Sequence, residues 1–296
     1  MTLPVLKAGD KIGLVAPAGP VNQSNIEAGV RVLQQYGFEV LFSNHLFQKY
    51  RYFSGTIRDR IEDIHSFLHN PEVKGIYAVR GGMGSSQLLP EIDFQLWSAQ
   101  RKLLIGFSDI TALQWALWAK VGLPSISGMT LTSQLRLSNP HISLFFDMLS
   151  GNRKSIAADD FLDDPLSAAR TGETEGLLIG GTLALINSLL GTPYFPELPP
   201  FILFLEDINE PLYRLERLLM QLKLAGVLDR VKGLILGHFK DKNEPLEVWS
   251  DLAYLFPADL PVVTGFPYGH FENSCPLPVG VSAKMNAQPF RLEWEI

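Results

Sequence analysis

The stretch Lys102-Leu-Leu-Ile-Gly-Phe-Ser-Asp-Ile-Thr-Ala-Leu113 decides the fold that we predict for this chain. Residues 102–107 form a short apolar run, which is typical of a buried strand. From residue 109 onward the apolar residues recur at helical spacing; they are Ile110, Leu113, Leu117 and Val121. Ser108 therefore lies at a strand-to-helix turn. Such a turn can expose a nucleophilic serine beside backbone N–H groups, but serine is also a favoured helix N-cap, and this stretch alone leaves both roles open.

Short apolar strands alternate with helical patterns on both sides of this stretch. The other predicted strands are residues 11–16, 38–42, 73–79, 176–181, 201–205, 231–236 and 261–264, followed by a strand pair between 278 and 294. The other predicted helices are residues 24–36, 57–68, 182–190 and the run that follows Asn209, its predicted cap, to about residue 222. This alternation predicts an α/β fold with parallel strands, in which ligands bind beyond the carboxyl ends of the strands.

The segment 151–175 differs in composition from the sequence around it. It holds acidic and small polar residues with little apolar periodicity. We therefore predict a linker or an irregular crossing at 151–175. It separates an N-terminal domain, residues 1–150, from a smaller C-terminal domain, residues 176–296.

The composition narrows the class of protein. Hydrophobic residues make up 46% of the 296 residues and charged residues 19%, which favours a packed core over disorder. The net charge of −6 argues against nucleic acid or an anionic membrane as the main partner. No apolar run approaches the roughly 20 residues that span a bilayer, and the start lacks the features of a signal peptide. Cys275 is the only cysteine, so no intrachain disulfide can form. We expect a soluble cytoplasmic protein.

A nucleophilic serine needs a general base and an acid that orients the base. Of the six histidines, His238 and His270 lie in loops after predicted strands, and the loop around His270 is rich in glycine and proline. Glu206 and Asp207 end the most apolar predicted strand. Strand geometry puts these two carboxylates on opposite faces without showing which face meets the cleft. On these residues alone, both choices remain open.

Motifs of other enzyme classes are incomplete in this chain. The order Ser, Glu, His also occurs in α/β-hydrolases, but Ser108 lies in Gly-Phe-Ser-Asp-Ile and lacks the second glycine of their motif. Arg80-Gly-Gly-Met-Gly84 does not match the dinucleotide fingerprint, and the sequence has neither a phosphate loop nor a His-Glu-x-x-His pattern. An α/β-hydrolase esterase and a non-catalytic two-domain protein that binds a small peptide or sugar remain the alternatives.

Six short segments occur in an order that points to one family. They are Gly13-Leu-Val-Ala-Pro-Ala-Gly19, Val79-Arg-Gly-Gly-Met-Gly84, Ile105-Gly-Phe-Ser-Asp-Ile-Thr111, Ile179-Gly-Gly-Thr-Leu183, Leu203-Phe-Leu-Glu-Asp-Ile-Asn-Glu210 and Gly265-Phe-Pro-Tyr-Gly-His270. Together they resemble the LD-carboxypeptidase family of serine peptidases, which includes muropeptide LD-carboxypeptidases and microcin C immunity peptidases. The resemblance spans almost the whole chain.

The resemblance implies a fold and a set of site residues. The fold is an N-terminal parallel-sheet domain like that of class I glutamine amidotransferases, followed by a smaller C-terminal α/β domain. The family pattern makes Ser108 of the first domain the nucleophile. His270 and Glu206 of the second domain become the general base and its orienting acid. The backbone N–H groups of Gly82 and Asp109 would form the oxyanion hole.

The resemblance also implies a reaction. It predicts a serine carboxypeptidase that cleaves an L,D-peptide bond and releases terminal D-Ala from a cytoplasmic muropeptide tetrapeptide during peptidoglycan recycling. A microcin C-type immunity peptidase is the alternative within the family. Neither a cofactor nor a metal is implied, and a homodimer is expected. Arg80 could pair with the substrate's terminal carboxylate or form a structural salt bridge. Met83 and Thr182 stand where the family commonly has an aromatic residue and Asn, which puts substrate preference in doubt.

Overall fold

The computed structural model describes residues 2–161, 166–242 and 244–296. Its strands are β1 Lys11–Val15, β2 Glu39–Phe42, β3 Val73–Ala78, β4 Leu103–Gly106, β5 Ser125–Ser127, β6 Ser155–Ala157, β7 Ser167–Arg170, β8 Glu173–Thr182, β9 Phe201–Ile208, β10 Val231–Asp241, β11 Glu244–Leu246, β12 Val262–Thr264, β13 Leu277–Val279, β14 Val281–Ala287 and β15 Phe290–Trp294. Its α-helices are α1 Gln23–Gln35, α2 Ile57–His69, α3 Phe94–Gln100, α4 Thr111–Val121, α5 Ile142–Leu149, α6 Leu183–Ser188, α7 Leu212–Leu224 and α8 Trp249–Leu252.

The first sheet contains the strands of the N-terminal half. Its order is β13-β5-β4-β3-β1-β2, and the five strands β1 to β5 are parallel. Every residue of β4 is buried, as is typical of a parallel strand covered by helices on both faces. Strand β13 comes from near the end of the chain and pairs antiparallel with β5. The chain therefore returns to its first sheet after it has built most of the second.

The second sheet is mixed. Its order is β6-β15-β14-β8-β9-β10-β12-β7, with β11 paired to β10. Strands β8, β9, β10 and β12 are parallel, whereas the strands outside them are antiparallel. The described strands number nine here and six in the first sheet. The predicted α/β architecture is thus found, and the strand pair predicted between 278 and 294 is the antiparallel pair β14 and β15 inside the second sheet.

The segment 151–175 is more regular than the linker that we predicted. Its described residues contain β6, β7 and the start of β8, and they pair with β15, β12 and β14 of the second sheet. Strands β6 and β7 are short edge strands in which Ile156 is the one buried residue, so they lack the apolar run on which a strand prediction depends. Residues 162–165, which belong to the predicted linker, lie outside the described residues.

Of two predicted helix caps, one agrees with the structure and one does not. Gly37 follows α1 with φ +87°, as expected of the glycine after a helix. Helix α7, in contrast, has Pro211 as its N-cap, so the predicted cap Asn209 was wrong. Pro211 has an extended backbone with ψ 153°, which separates Asn209 from the first helical turn. Within the described ranges, no helix has both the length and the apolar character needed to cross a membrane.

Candidate active site

Ser108 lies on a strained turn between β4 and α4. Strand β4 ends at Gly106, and Ser108 begins a single 3-10 turn, Ser108–Ile110, that leads into α4. The φ of Ser108 is +65°, a conformation that is costly for a residue with a Cβ and that clusters at functional sites. Its Oγ lies 2.8 Å from His270 Nε2, and the N-cap residues of the 3-10 turn and of α4 are Phe107 and Ile110, so Ser108 is not the predicted helix cap.

Close packing of the loop after β3 supports this turn. A Cβ built on Gly81 would lie 2.7 Å from Ser108 Cβ and 2.8 Å from Ser108 Oγ. Only glycine permits such an approach without moving one of the two loops. The Gly-Gly of the segment 79–84 therefore serves the geometry around Ser108.

His270 connects Ser108 to a fully buried carboxylate. His270 Nδ1 lies 2.6 Å from Glu206 Oε2, and Glu206 is 0% exposed. Thr182 Oγ1 donates a hydrogen bond of 2.5 Å to Glu206 Oε1, so both carboxylate oxygens have partners. A hydrogen on Nδ1, donated to Glu206, leaves Nε2 as the acceptor for the Ser108 hydroxyl. The three side chains form one continuous chain of hydrogen bonds.

The rival candidates have other contacts. His238 stacks on Phe271 with 4.0 Å between the ring centroids. The two oxygens of Asp207 accept hydrogen bonds from the backbone N–H groups of Ala184, at 2.8 Å, and Ile208, at 2.9 Å. Of the two histidines and two carboxylates that the sequence left open, His270 and Glu206 are the ones that join Ser108.

The electrostatics of the site favour a basic imidazole. Burial disfavours the cation of His270, but the charge of Glu206 and its hydrogen bond outweigh burial, so the pKa of His270 is raised above its ordinary value. Burial and the charge of Glu206 together raise the pKa of Asp207 to about 7.

Two segments that carry the predicted oxyanion-hole residues are joined by hydrogen bonds beside Ser108. The carboxylate of Asp109 accepts the backbone N–H of Ser85 at 2.8 Å, and Ser85 Oγ donates to the carbonyl of Asp109. Burial raises the pKa of Asp109 despite these hydrogen bonds. Gly82, with φ +124°, lies in the same loop as Ser85. The structure thus brings the backbone of residues 81–85 against the turn that begins at Ser108.

A cleft of about 670 Å³ lies over these residues. Its wall includes Gly82, Ser108, His270, the predicted carboxylate-binding Arg80, and Thr182. Arg80 Nη1 donates to the carbonyl of Pro20 at 2.9 Å, which fixes the guanidinium on the wall. Met83, the other position noted for substrate preference, is 59% exposed and is not part of the described cleft wall. Across the described ranges, no group of three or more His, Cys, Asp or Glu residues could hold a metal ion.

The loop of His270 is attached to the first sheet as well as to the second. Tyr268 OH and Ser127 Oγ share a hydrogen bond of 2.7 Å, and β13 continues this attachment along β5. Two further buried amides, Gln134 and Asn139, contact the same loop. Sequence reasoning missed Ser127, Gln134 and Asn139, because they lie in a region without a recognisable motif. It noted Thr182, but not the hydrogen bond to Glu206.

Comparison with known proteins identifies the family of the chain. The family model described as the LD-carboxypeptidase N-terminal domain matches residues 12–128, and the model of the LD-carboxypeptidase C-terminal domain matches residues 175–285. A probable murein peptide carboxypeptidase of Bacillus subtilis (strain 168) is 31% identical over 291 residues, with 95% of this chain and 90% of that protein covered.

Two solved structures resemble the whole chain. The muramoyltetrapeptide carboxypeptidase of Oxalobacter formigenes has a TM-score of 0.83 and 31% identity, with 97% of this chain and 99% of that chain covered. The microcin C7 self-immunity protein MccF, in complex with glutamyl sulfamoyl guanosine, has a TM-score of 0.89 and 26% identity, with 100% and 98% covered. Since two family models match most of its length, the chain belongs to the LD-carboxypeptidase family of peptidases.

Proposed function

We propose that the protein is a serine-type carboxypeptidase that cleaves an L,D-peptide bond and releases terminal D-Ala from a muropeptide tetrapeptide. The observation that carries the proposal is the continuous chain of hydrogen bonds from Ser108 through His270 to Glu206. Membership of the LD-carboxypeptidase family supports the reaction. The substrate is inferred from relatives whose names refer to a murein peptide and a muramoyltetrapeptide.

The first half of the proposed reaction forms an acyl-enzyme. His270 Nε2 accepts the proton of Ser108 Oγ while the oxygen attacks the carbonyl carbon of the last peptide bond. Glu206 keeps the imidazole oriented and stabilises the imidazolium that forms. The backbone N–H groups of Gly82 and Asp109 receive the oxyanion of the tetrahedral intermediate. His270 then gives its proton to the leaving amine of D-Ala as the carbon–nitrogen bond breaks.

The second half of the reaction restores the enzyme. Water enters the position that D-Ala has left, and His270 takes one of its protons as the oxygen attacks the ester carbonyl. Collapse of the second tetrahedral intermediate returns the proton to Ser108 Oγ and frees the shortened peptide. Arg80 pairs with the terminal carboxylate of the bound substrate, because a guanidinium binds a carboxylate through two parallel hydrogen bonds.

The test of this function is D-Ala release from a purified murein tetrapeptide. We expect turnover by the wild-type protein, and none above background by Ser108→Ala. The same peptide ending in L-Ala is the substrate control, and its turnover should be much slower. Equal rates with both peptides would contradict an L,D-specific peptidase and favour a general esterase or peptidase. A protein that neither releases D-Ala nor reacts with a fluorophosphonate at Ser108 would instead be a binding protein.

A second candidate function is hydrolysis of a peptidyl or aminoacyl nucleotide, as in microcin C immunity. The observation that favours it is the similarity to MccF, which was solved with glutamyl sulfamoyl guanosine. Comparing kcat/KM for the tetrapeptide with that for a glutamyl sulfamoyl nucleotide separates the two functions. A ratio that favours the nucleotide would make immunity the main activity.

Three further expectations from the sequence belong to this proposal. We propose the glutamine amidotransferase type for the N-terminal sheet, supported by its five parallel strands and by the serine that follows β4. We propose domains at 1–150 and 176–296, and the family models at 12–128 and 175–285 support this division. A cytoplasmic location remains a prediction from the composition, and a homodimer remains a prediction from the family.

A further inference from the structure

The amide of Gln134 contacts the backbone on both sides of His270. Gln134 Nε2 donates to the carbonyl of Gly269 at 2.9 Å and to the carbonyl of Phe271 at 3.0 Å. Its Oε1 accepts the backbone N–H of Thr130 at 2.9 Å. The side chain is 3% exposed, so water cannot readily replace these partners. One buried amide therefore connects the region after β5 to both neighbours of His270.

The position of these contacts matters because His270 must satisfy two short distances at once. Its ring lies 2.8 Å from Ser108 Oγ and 2.6 Å from Glu206 Oε2. Gly269 has φ +144°, and it has no side chain that would restrict its backbone. The chain directly before His270 is therefore less restrained than it would be at another residue type. The two hydrogen bonds from Gln134 supply a restraint there, because they fix the carbonyls before and after the histidine.

Gln134 also comes from the other half of the molecule. It lies 135 residues before Gly269 in the sequence, in the same half as Ser108. The imidazole is oriented at Nδ1 by Glu206 of the second sheet, whereas its backbone is held by a residue of the first half. The position of His270 relative to Ser108 therefore depends on a contact between the two halves of the chain, made by a residue of the half that carries the serine.

We propose that Gln134 is a positioning residue for catalysis, which holds the backbone on both sides of His270 so that its Nε2 meets Ser108. The proposal rests on the proposed function in one respect, since it requires His270 to act as the general base. Gln134 acts through His270 in this proposal; it also lies on the cleft wall, so KM is measured beside kcat to separate positioning from substrate contact.

Asn139 provides a matched control. It is a buried amide, 2% exposed, and its Nδ2 donates to the carbonyls of Glu272, at 3.0 Å, and Gln134, at 3.2 Å. It thus anchors the same loop two residues beyond His270, without touching either neighbour of the histidine. Asn139→Leu should lower stability by removing buried hydrogen bonds, as Gln134→Met does. It removes a hydrogen bond to the backbone carbonyl of Gln134 but keeps the Gln134 side-chain amide, which is the group that contacts Gly269 and Phe271.

The experiment compares Gln134→Met, Asn139→Leu and the wild type in three measurements. These are the melting temperature, the rate of fluorophosphonate labelling of Ser108, and kcat and KM for D-Ala release. A misplacement of about 1 Å can cost on the order of 100-fold in rate. We expect Gln134→Met to lose about 10- to 100-fold in labelling rate and kcat, with little change in KM. Asn139→Leu should stay within about threefold of wild type at a temperature where both variants are folded.

Either of two results overturns the proposal: Gln134→Met reacting at the wild-type rate, or equal losses in both variants, which would indicate only general anchoring of the loop. If Gln134→Met does not fold, Gln134→Glu decides. It keeps an oxygen that accepts from Thr130 and replaces the two amide N–H donors by at most one carboxylic O–H. At least one of the carbonyls of Gly269 and Phe271 then loses its partner, so a loss in the same direction is expected. Labelling reports on Ser108 without the peptide, so a wrong substrate leaves the labelling comparison intact. Failure of the wild type to label overturns the triad and, with it, this proposal.

Discussion

Glu206→Gln should show how much of the reaction rate depends on the charge of the buried carboxylate and how much on its shape. The substitution keeps the size of the side chain and one oxygen, but it removes the negative charge 2.6 Å from His270 Nδ1. It leaves the nucleophile, the cleft and the backbone N–H groups unchanged. The protein should therefore fold, and it should lose rate wherever the reaction makes an imidazolium.

The size of the loss can be worked from the contact. A Glu206–His270 contact of 2.6 Å puts the two centres of charge about 4 Å apart, which corresponds to about 4 kcal/mol at an effective dielectric constant of about 20. That energy is a factor of about 1000 in rate. The amide can also hold the wrong imidazole tautomer, and loss of the acid from a Ser–His–acid triad typically costs about 10000-fold in kcat. We expect a loss between these two values.

The assay is kcat for D-Ala release at pH 7.5, with Asp207→Asn as the matched control. Asp207 is the neighbouring buried carboxylate, but its oxygens accept from backbone N–H groups. The kcat of Asp207→Asn should fall less than about tenfold below that of the wild type. If Glu206→Gln keeps more than a tenth of the wild-type kcat, or if Asp207→Asn loses as much as Glu206→Gln, the role given to Glu206 is refuted.

Three other predictions test the surroundings of the triad and a separate histidine. The base must be neutral to accept a proton, so kcat/KM should rise with pH through an apparent pKa above about 6.5, and a pH–rate profile with its midpoint below that value would contradict the raised pKa of His270. Gly81→Ala should reduce fluorophosphonate labelling about 100-fold, because the new Cβ would lie 2.7 Å from Ser108 Cβ; wild-type labelling would show that the loops move apart freely. Burial opposes the charged form of His45, but the hydrogen bond to Asp63 and the negative charges of Asp63, Asp59 and Glu62 together outweigh it and raise the pKa of His45. The stabilisation is then complete below the unfolded-state pKa and lost as pH rises through the folded-state pKa. Urea unfolding should therefore show a larger deficit for His45→Gln at pH 5.5 than at pH 8.5, and an equal deficit at both would contradict it.

Much of the fold could be predicted because its central strands are apolar runs. β4 and β9 are buried along almost their whole length, so their sequence carries the signal directly. Strands β6, β7 and β13 could not be found in this way. The first two are short edge strands in which Ile156 is the one buried residue, and β13 has only three residues, one of them Pro278. Their pairing depends on partners that are distant in the chain.

The residues of the candidate site also differ in how well the sequence predicts them. Ser108, Glu206 and His270 stand after or near the ends of strands and inside short motifs, so the family resemblance could select them. The contacts that hold them are different. Gln134 and Ser127 are single polar residues whose partners lie 135 and 141 residues away, and no local pattern announces such a contact. The geometry brings the three predicted residues together, and their catalytic roles stay predictions until activity is measured.

The most direct test of the central claim is detection of the acyl-enzyme on Ser108. Wild-type protein is mixed with murein tetrapeptide, quenched in acid within the first turnover, and analysed by peptide mass spectrometry. We predict a tryptic peptide containing Ser108 that carries the mass of the tetrapeptide less D-Ala, with no such adduct and no D-Ala release for Ser108→Ala. An adduct on another residue, or D-Ala release by Ser108→Ala at the wild-type rate, would contradict the account.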